Sequence, residues 1–166
     1  VRDDNPVLYL ENRMLYLHKE EVPEGQWLVP IGEAALRREG TDITVVATGY
    51  AVHKALEAAG KLAGIIDVEV IDPRTLDPLD LPAILRSVRK TGNLLVVQEA
   101  PLQCSFAAEV IRQVVQDAFG DLEHPPLALG AADVPVPFSP ALEKALIPQV
   151  EDIERAARRV LELEAP

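Results

Sequence analysis

The feature that most constrains this chain is the alternation of short, continuous apolar runs with stretches of helical period. Ile43, Thr44, Val45, Val46, Ala47 and Thr48 make the densest β-branched run, and Gly49 closes it. Val52, Leu56, Ala59 and Leu62 follow at helical spacing, which predicts an amphipathic helix over 50–63, ended near Gly64. A second strand is expected at 68–72 and a loop at 73–78, then a helix capped by Asp80, with Pro82 in its first turn, running to Thr91 before Gly92. A third strand at 94–97, a helix at 105–119, a last strand at 127–129 and, after Pro135, Pro137 and Pro140, a final helix at 150–164 complete the pattern. Strands without polar alternation are buried on both faces, so the chain predicts a parallel sheet covered by helices on both sides and joined by right-handed crossovers.

The first thirty residues read differently. Val7 to Leu10, after Asp4, Asn5 and Pro6, is expected to be a short buried strand. Residues 11–30 hold no sustained period and carry Pro23, Gly25 and Pro30 with Glu20, Glu21 and Glu24, as a surface linker does. A boundary therefore falls there, with residues 1–30 as an appendage and 31–166 as the domain. The chain opens Val1, Arg2, Asp3, Asp4, with neither a Met nor a basic region followed by an apolar stretch, which suggests a piece of a longer protein without a secretory signal.

Composition narrows the function classes. Hydrophobic residues are 48% of the chain, enough for a core and too many for disorder, and no apolar run approaches the roughly 18 residues that cross a bilayer. The net charge of −11 argues against nucleic acid and for basic protein partners. The single Cys104 forms no internal disulfide and reads as a small buried hydrophobe. No GxGxxG, P-loop, HExxH, CxxC or GxSxG motif is present, and His18, His53 and His124, scattered among polar residues, read as structural or solvated.

One stretch carries a resemblance. Asp72, Pro73, Arg74, Thr75, Leu76, Asp77, Pro78, Leu79 and Asp80 closely resemble the DxRTLxPxD signature of the beta subunit of thiamine-diphosphate-dependent 2-oxo acid dehydrogenases. His53 to Leu56, Lys90 to Gly92, Glu99 to Pro101 and Pro140 to Glu143 extend it, so that it spans nearly the whole chain. It implies a three-layer α/β/α fold of the transketolase C-terminal-domain type, with a mostly parallel five-stranded sheet and one antiparallel strand, preceded in residues 1–30 by the end of a pyrimidine-binding domain and a linker. The implied parent, resembling the decarboxylating component of pyruvate, branched-chain 2-oxo acid or acetoin dehydrogenase, decarboxylates a 2-oxo acid and acylates the lipoyl group of E2. It is an α2β2 tetramer of the bacterial cytoplasm or the mitochondrial matrix.

Within that resemblance, Asp72, Arg74, Thr75 and Asp80 are expected to shape a loop, with Arg74 tying carboxylates or carbonyls, and Glu99 to cap the turn that follows its strand. Glu123, with Asp121 beside it, matches the place where the family meets the E2 peripheral-subunit-binding domain. The E1 alpha subunit and a second E1 beta subunit are the other implied partners. Thiamine diphosphate and Mg²⁺ belong to the implied parent, but Gly120, Asp121, Leu122 lacks the GDG motif and the activating glutamate lies in the other domain, so this chain is expected to be inactive alone and to bind neither. Gln98 stands where many relatives have His, and Leu102 to Ser105 where they have a glycine-rich turn. Two alternatives stay open: the same domain of a transketolase or 1-deoxyxylulose-5-phosphate synthase, for which Arg13 is the nearest phosphate-binding candidate, and a free-standing α/β interaction domain.

Overall fold

A strand made almost wholly of Val, Ile and Ala has no face to offer to water. The computed structural model, which describes residues 3–163, accordingly places β2 (Ile43–Ala47) at the sheet centre with every residue buried. Around it run β1 (Ala35–Arg38), β3 (Val68–Asp72), β4 (Leu94–Pro101) and β5 (Leu127–Ala131), in the order β1-β3-β2-β4-β5. β1 pairs antiparallel with β3; the other pairs are parallel. Successive strand residues point to opposite faces. Val45, Ala47, Val70, Leu95 and Val97 therefore join α1 (Ala51–Leu62) and α5 (Val150–Val160) on one side. Val46, Ile71, Leu94 and Val96 join α2 (Leu81–Thr91) and α3 (Phe106–Ala118) on the other. The expected three-layer α/β/α architecture with one antiparallel strand is what forms.

Helix starts are set by side chains that satisfy the free amides of a first turn. Asp80 accepts from Ala83 N at 3.1 Å, Ser105 from Ala108 N at 3.2 Å, and Gln149 forms a reciprocal box with Asp152. Gly92 ends α2 in the left-handed conformation at φ 69°.

Beneath the apolar layers runs a buried polar seam. Thr44, fully buried in β2, lies 2.6 Å from Ser87 Oγ and 2.7 Å from Thr91 Oγ1 of α2. Ser87 also donates to Glu69 on β3, which is paired with Lys90 and accepts from Gly40 N at 3.3 Å. Asn93 continues the seam: its amide donates to Asp42 O at 3.0 Å, and its Oδ1 lies 2.8 Å from His124 Nδ1. Buried polar groups are tolerated only with such partners.

Four expectations are corrected. Val7 to Leu10 forms no strand and is exposed, because no strand among the described residues pairs with it. The proline-rich stretch contains a short helix, α4 (Pro140–Leu146), since a proline in the first turn starts a helix rather than breaking one. Cys104 is exposed in the turn after β4, at φ 49°, instead of buried. The last helix stops at Val160, and Glu164 lies outside the described residues.

Gly40 allows β1 and β2 to close over β3: a Cβ there would lie 2.3 Å from the carbonyl carbon of Val68. Gly40→Ala must push backbone that also carries Glu69, and a loss of about 1–3 kcal/mol is expected, as for overpacked sites. A lowered urea midpoint at unchanged slope is the check.

Candidate functional site

β2 leads through α1 to β3 on one side, while β4 lies on its other side, so the winding reverses between β2 and β4. In open α/β sheets the crevice over the carboxyl ends at such a reversal is the usual ligand site. Here the chain's own connector lies across it. Asn12 Nδ2 donates to Glu99 Oε2 at the end of β4 (2.7 Å), and Asn12 Oδ1 accepts from Met14 N (3.0 Å), starting a 3-10 turn over Arg13–Leu17. Gly49, at φ 58°, turns β2 into α1 directly beneath; a Cβ there would sit 2.8 Å from Asn12 Nδ2.

The connector is fastened twice more. The His18 ring stacks on His53 of α1 with centroids 4.4 Å apart, and Tyr50 lies 5.4 Å from His18 and 5.9 Å from His53. Glu20 then pairs with Arg37 at 3.7 Å. Beside Tyr50, Lys54 of α1 is buried, donates to Pro148 O at 2.7 Å and stands 5.5 Å from the Tyr50 ring centre. Burial lowers the Lys54 pKa, opposed by the charges of Glu99 and Asp152. Burial also lowers that of His53, reinforced by His18. Glu99 Oε1 is shielded from solvent with no donor among the described residues.

This arrangement holds two parts of the chain together. Among the described residues no three His, Cys, Asp or Glu side chains converge on a point that a metal ion could occupy.

The signature loop acts on the other edge. Arg74, at φ 54°, donates from its backbone to Asp72 Oδ1 (3.0 Å) and from its guanidinium to the carbonyls of Glu33 (3.0 Å) and Ala34 (3.4 Å). Thr75 Oγ1 accepts from Gly32 N at 3.1 Å and Asp80 Oδ2 from Ala34 N at 2.9 Å, so the loop anchors the backbone entering β1. Glu99 does not cap its turn; it holds Asn12. Gln98 closes the turn instead, donating to Ala100 O (3.0 Å) and Pro101 O (2.8 Å) while accepting from Ala107 N (2.8 Å).

Asp121 and Glu123 sit together at the opposite end of α2. Arg89 donates to Asp121 at 3.2 Å, whereas Glu123 is exposed and has no ion pair among the described residues. Glu123 N donates to Gly92 O at 2.8 Å, and its side chain lies where a Gly92 Cβ would be, 2.7 Å away. Sequence reasoning missed Asn12, Tyr50, Lys54 and Gln98 as site residues; the turn-forming Gly49 before α1 was the one local sign of a crevice.

Residues 32–153 match the family described as "Transketolase, C-terminal domain". The chain is 44% identical over 162 residues to the beta subunit of acetoin:2,6-dichlorophenolindophenol oxidoreductase of Cupriavidus necator, covering 97% of this chain and 48% of that protein. It is 42% identical over 164 residues to the beta subunit of the pyruvate dehydrogenase E1 component of Bacillus subtilis, covering 98% and 50%. A solved structure titled "Split gene transketolase, inactive beta4 tetramer" superposes with a TM-score of 0.72 at 28% identity, over 88% of this chain and 47% of that one. The chain thus spans about half the length of the curated relatives it matches.

Gln98→Ala would leave Ala107 N, in a fully buried residue, without its acceptor and free the turn after β4. A destabilisation of about 1–3 kcal/mol is expected, read by chemical unfolding.

Proposed function

The chain belongs to the transketolase C-terminal domain family, and on that premise we propose that it is the assembly and partner-docking half of the beta subunit of a thiamine-diphosphate-dependent 2-oxo acid dehydrogenase. The observation that carries this reading is its identity of 42–44% to acetoin- and pyruvate-dehydrogenase beta subunits over nearly its whole length. The parent would decarboxylate a 2-oxo acid and pass the acyl group to E2, using cofactor ligands outside these residues. Residues 1–30 would be the end of the preceding pyrimidine-binding domain and its linker. Residues 31–166 would contact the E1 alpha subunit and a second beta subunit. Val7, Leu8, Tyr9 and Leu10, all exposed, and the exposed Val134, Val136 and Phe138 supply apolar surface for these contacts. Among the described residues no helix is long and apolar enough to cross a membrane.

A transketolase parent is a second reading, favoured by the split-gene transketolase neighbour at 28% identity. Arg13, its phosphate-binding candidate, stands in the exposed 3-10 turn of the connector.

Titration of the chain with thiamine diphosphate and Mg²⁺ in a calorimeter is expected to give no heat of binding; a micromolar site would remove the assembly-only reading.

The docking half of the proposal rests on Glu123. Its carboxylate, without an ion pair among the described residues, is held at the carboxyl end of α2, where a helix is least hospitable to negative charge, and would be relieved by a cation from the E2 peripheral-subunit-binding domain. Residues 99–166 carry twelve acids against five Lys and Arg, so the chain's negative charge is concentrated in its second half. Glu123→Ala should weaken that complex, by about 2–5 kcal/mol if the pair is desolvated, and more at low salt than at high salt. Unchanged affinity and salt slope by surface plasmon resonance would take Glu123 out of the interface.

A further inference from the structure

Of the three points that fasten the connector to the sheet end, two join complementary groups, Asn12 with Glu99 and Glu20 with Arg37. The third joins two bases. His18 and His53 stack with centroids 4.4 Å apart and planes inclined by 23°. Such a stack holds while at least one ring is neutral; two imidazolium ions at that separation repel.

We propose that the His18–His53 pair is a pH-sensitive latch, closing the connector over the switch-point crevice when either ring is neutral and releasing it when both are protonated. The inference rests on residues of this chain alone and not on the subunit reading. The groups that face the pair come from every element around it. The residue before α1 is Tyr50, 5.4 Å and 5.9 Å from the two rings, and α1 brings Lys54, which is buried 5.5 Å from the Tyr50 ring centre. β1 brings Arg37, which the connector's Glu20 engages at 3.7 Å. The end of β3 brings Asp72, which accepts from Arg74 N at 3.0 Å, and the end of β4 brings Glu99, which holds Asn12 at 2.7 Å. No carboxylate hydrogen-bonds either ring among the described residues, and the charges of Glu20 and Asp72 do not offset the burial and the neighbouring His18 ring that oppose a proton on His53.

The lowered pKa of His53 follows from burial first and His18 second. A group depressed in the closed state contributes its full stability above its free value, roughly 6.5, and loses it as the pH falls through its closed-state value. Acid therefore opens the latch and alkali does not. Opening would free Glu99, which Asn12 holds, at the reversal between β2 and β4.

The test is proton NMR of the full 166-residue chain at pH 8 and pH 5. At pH 8, ring-to-ring Overhauser contacts from His18 to His53 and Tyr50 are expected. At pH 5 they should vanish, with the ¹⁵N heteronuclear Overhauser values of residues 12–20 falling, while resonances of the buried Thr44–Ser87 seam stay put. In His53→Asn the His18–Tyr50 contact should survive at pH 5, because a single imidazolium beside a tyrosine face has no like-charged ring to leave. The proposal is overturned if wild-type contacts persist at pH 5 after both rings have titrated, or if His53→Asn loses the His18–Tyr50 contact to the same degree. Should that variant not fold, His18→Asn, at an exposed position, gives the same decision: its connector must show no change in mobility between the two pH values, and loosening there overturns the latch.

Discussion

Everything in this molecule follows from the need to keep one strand dry on both faces. β2 exposes none of its five residues, so helices must pack above and below it, and its neighbours must be reached by crossovers instead of hairpins. Those crossovers diverge from β2, which creates a crevice at its carboxyl end as an unavoidable by-product of the winding. In many α/β proteins that crevice receives a ligand. Here it receives residues 12–18 of the same chain, and the chemistry suited to gripping a small molecule is spent on gripping a connector.

That substitution fits a domain whose relatives are about twice as long. A connector pinned at Asn12, His18 and Glu20 fixes the direction in which the preceding part of a longer polypeptide would approach. The signature loop does comparable work at the opposite edge: Arg74, Thr75 and Asp80 all bind backbone of residues 32–34, so the most recognisable motif in the sequence is a clasp on the antiparallel strand. Gln98 likewise brings a side chain with both a donor and an acceptor, and the turn after β4 uses both.

The elements most legible in the sequence are those that carry their cause locally. The continuous β-branched run from Ile43 to Ala47 announces a strand, and the stripe of Val110 and Val114 a helical period, without reference to anything distant. Val7 to Leu10 has the same apolar character but no ladder partner, and composition alone does not make a strand. α4 was hidden by the habit of reading proline as a breaker. The connector site was illegible for a different reason: Asn12 and Glu99 are 87 residues apart, and an asparagine in an aperiodic stretch carries no sign of the carboxylate it will meet. Thr44 was read correctly as a strand residue, yet its hydroxyl, the part that matters to α2, is invisible to β propensity.

The polar seam has a consequence for how this sheet finds its alignment. Sliding β2 by two residues along β3 or β4 would return every valine and isoleucine to the correct face, so the apolar layers barely distinguish the true pairing from that error. The hydroxyl of Thr44 does distinguish it. Only in the native alignment does it meet Ser87 and Thr91, while Glu69 meets Gly40 and Lys90. In a slipped sheet the same groups would be sealed from water without partners, at a cost of about 1–3 kcal/mol each. The seam is thus a proofreading element, a handful of oxygen atoms that penalise a mistake the hydrophobic core would accept.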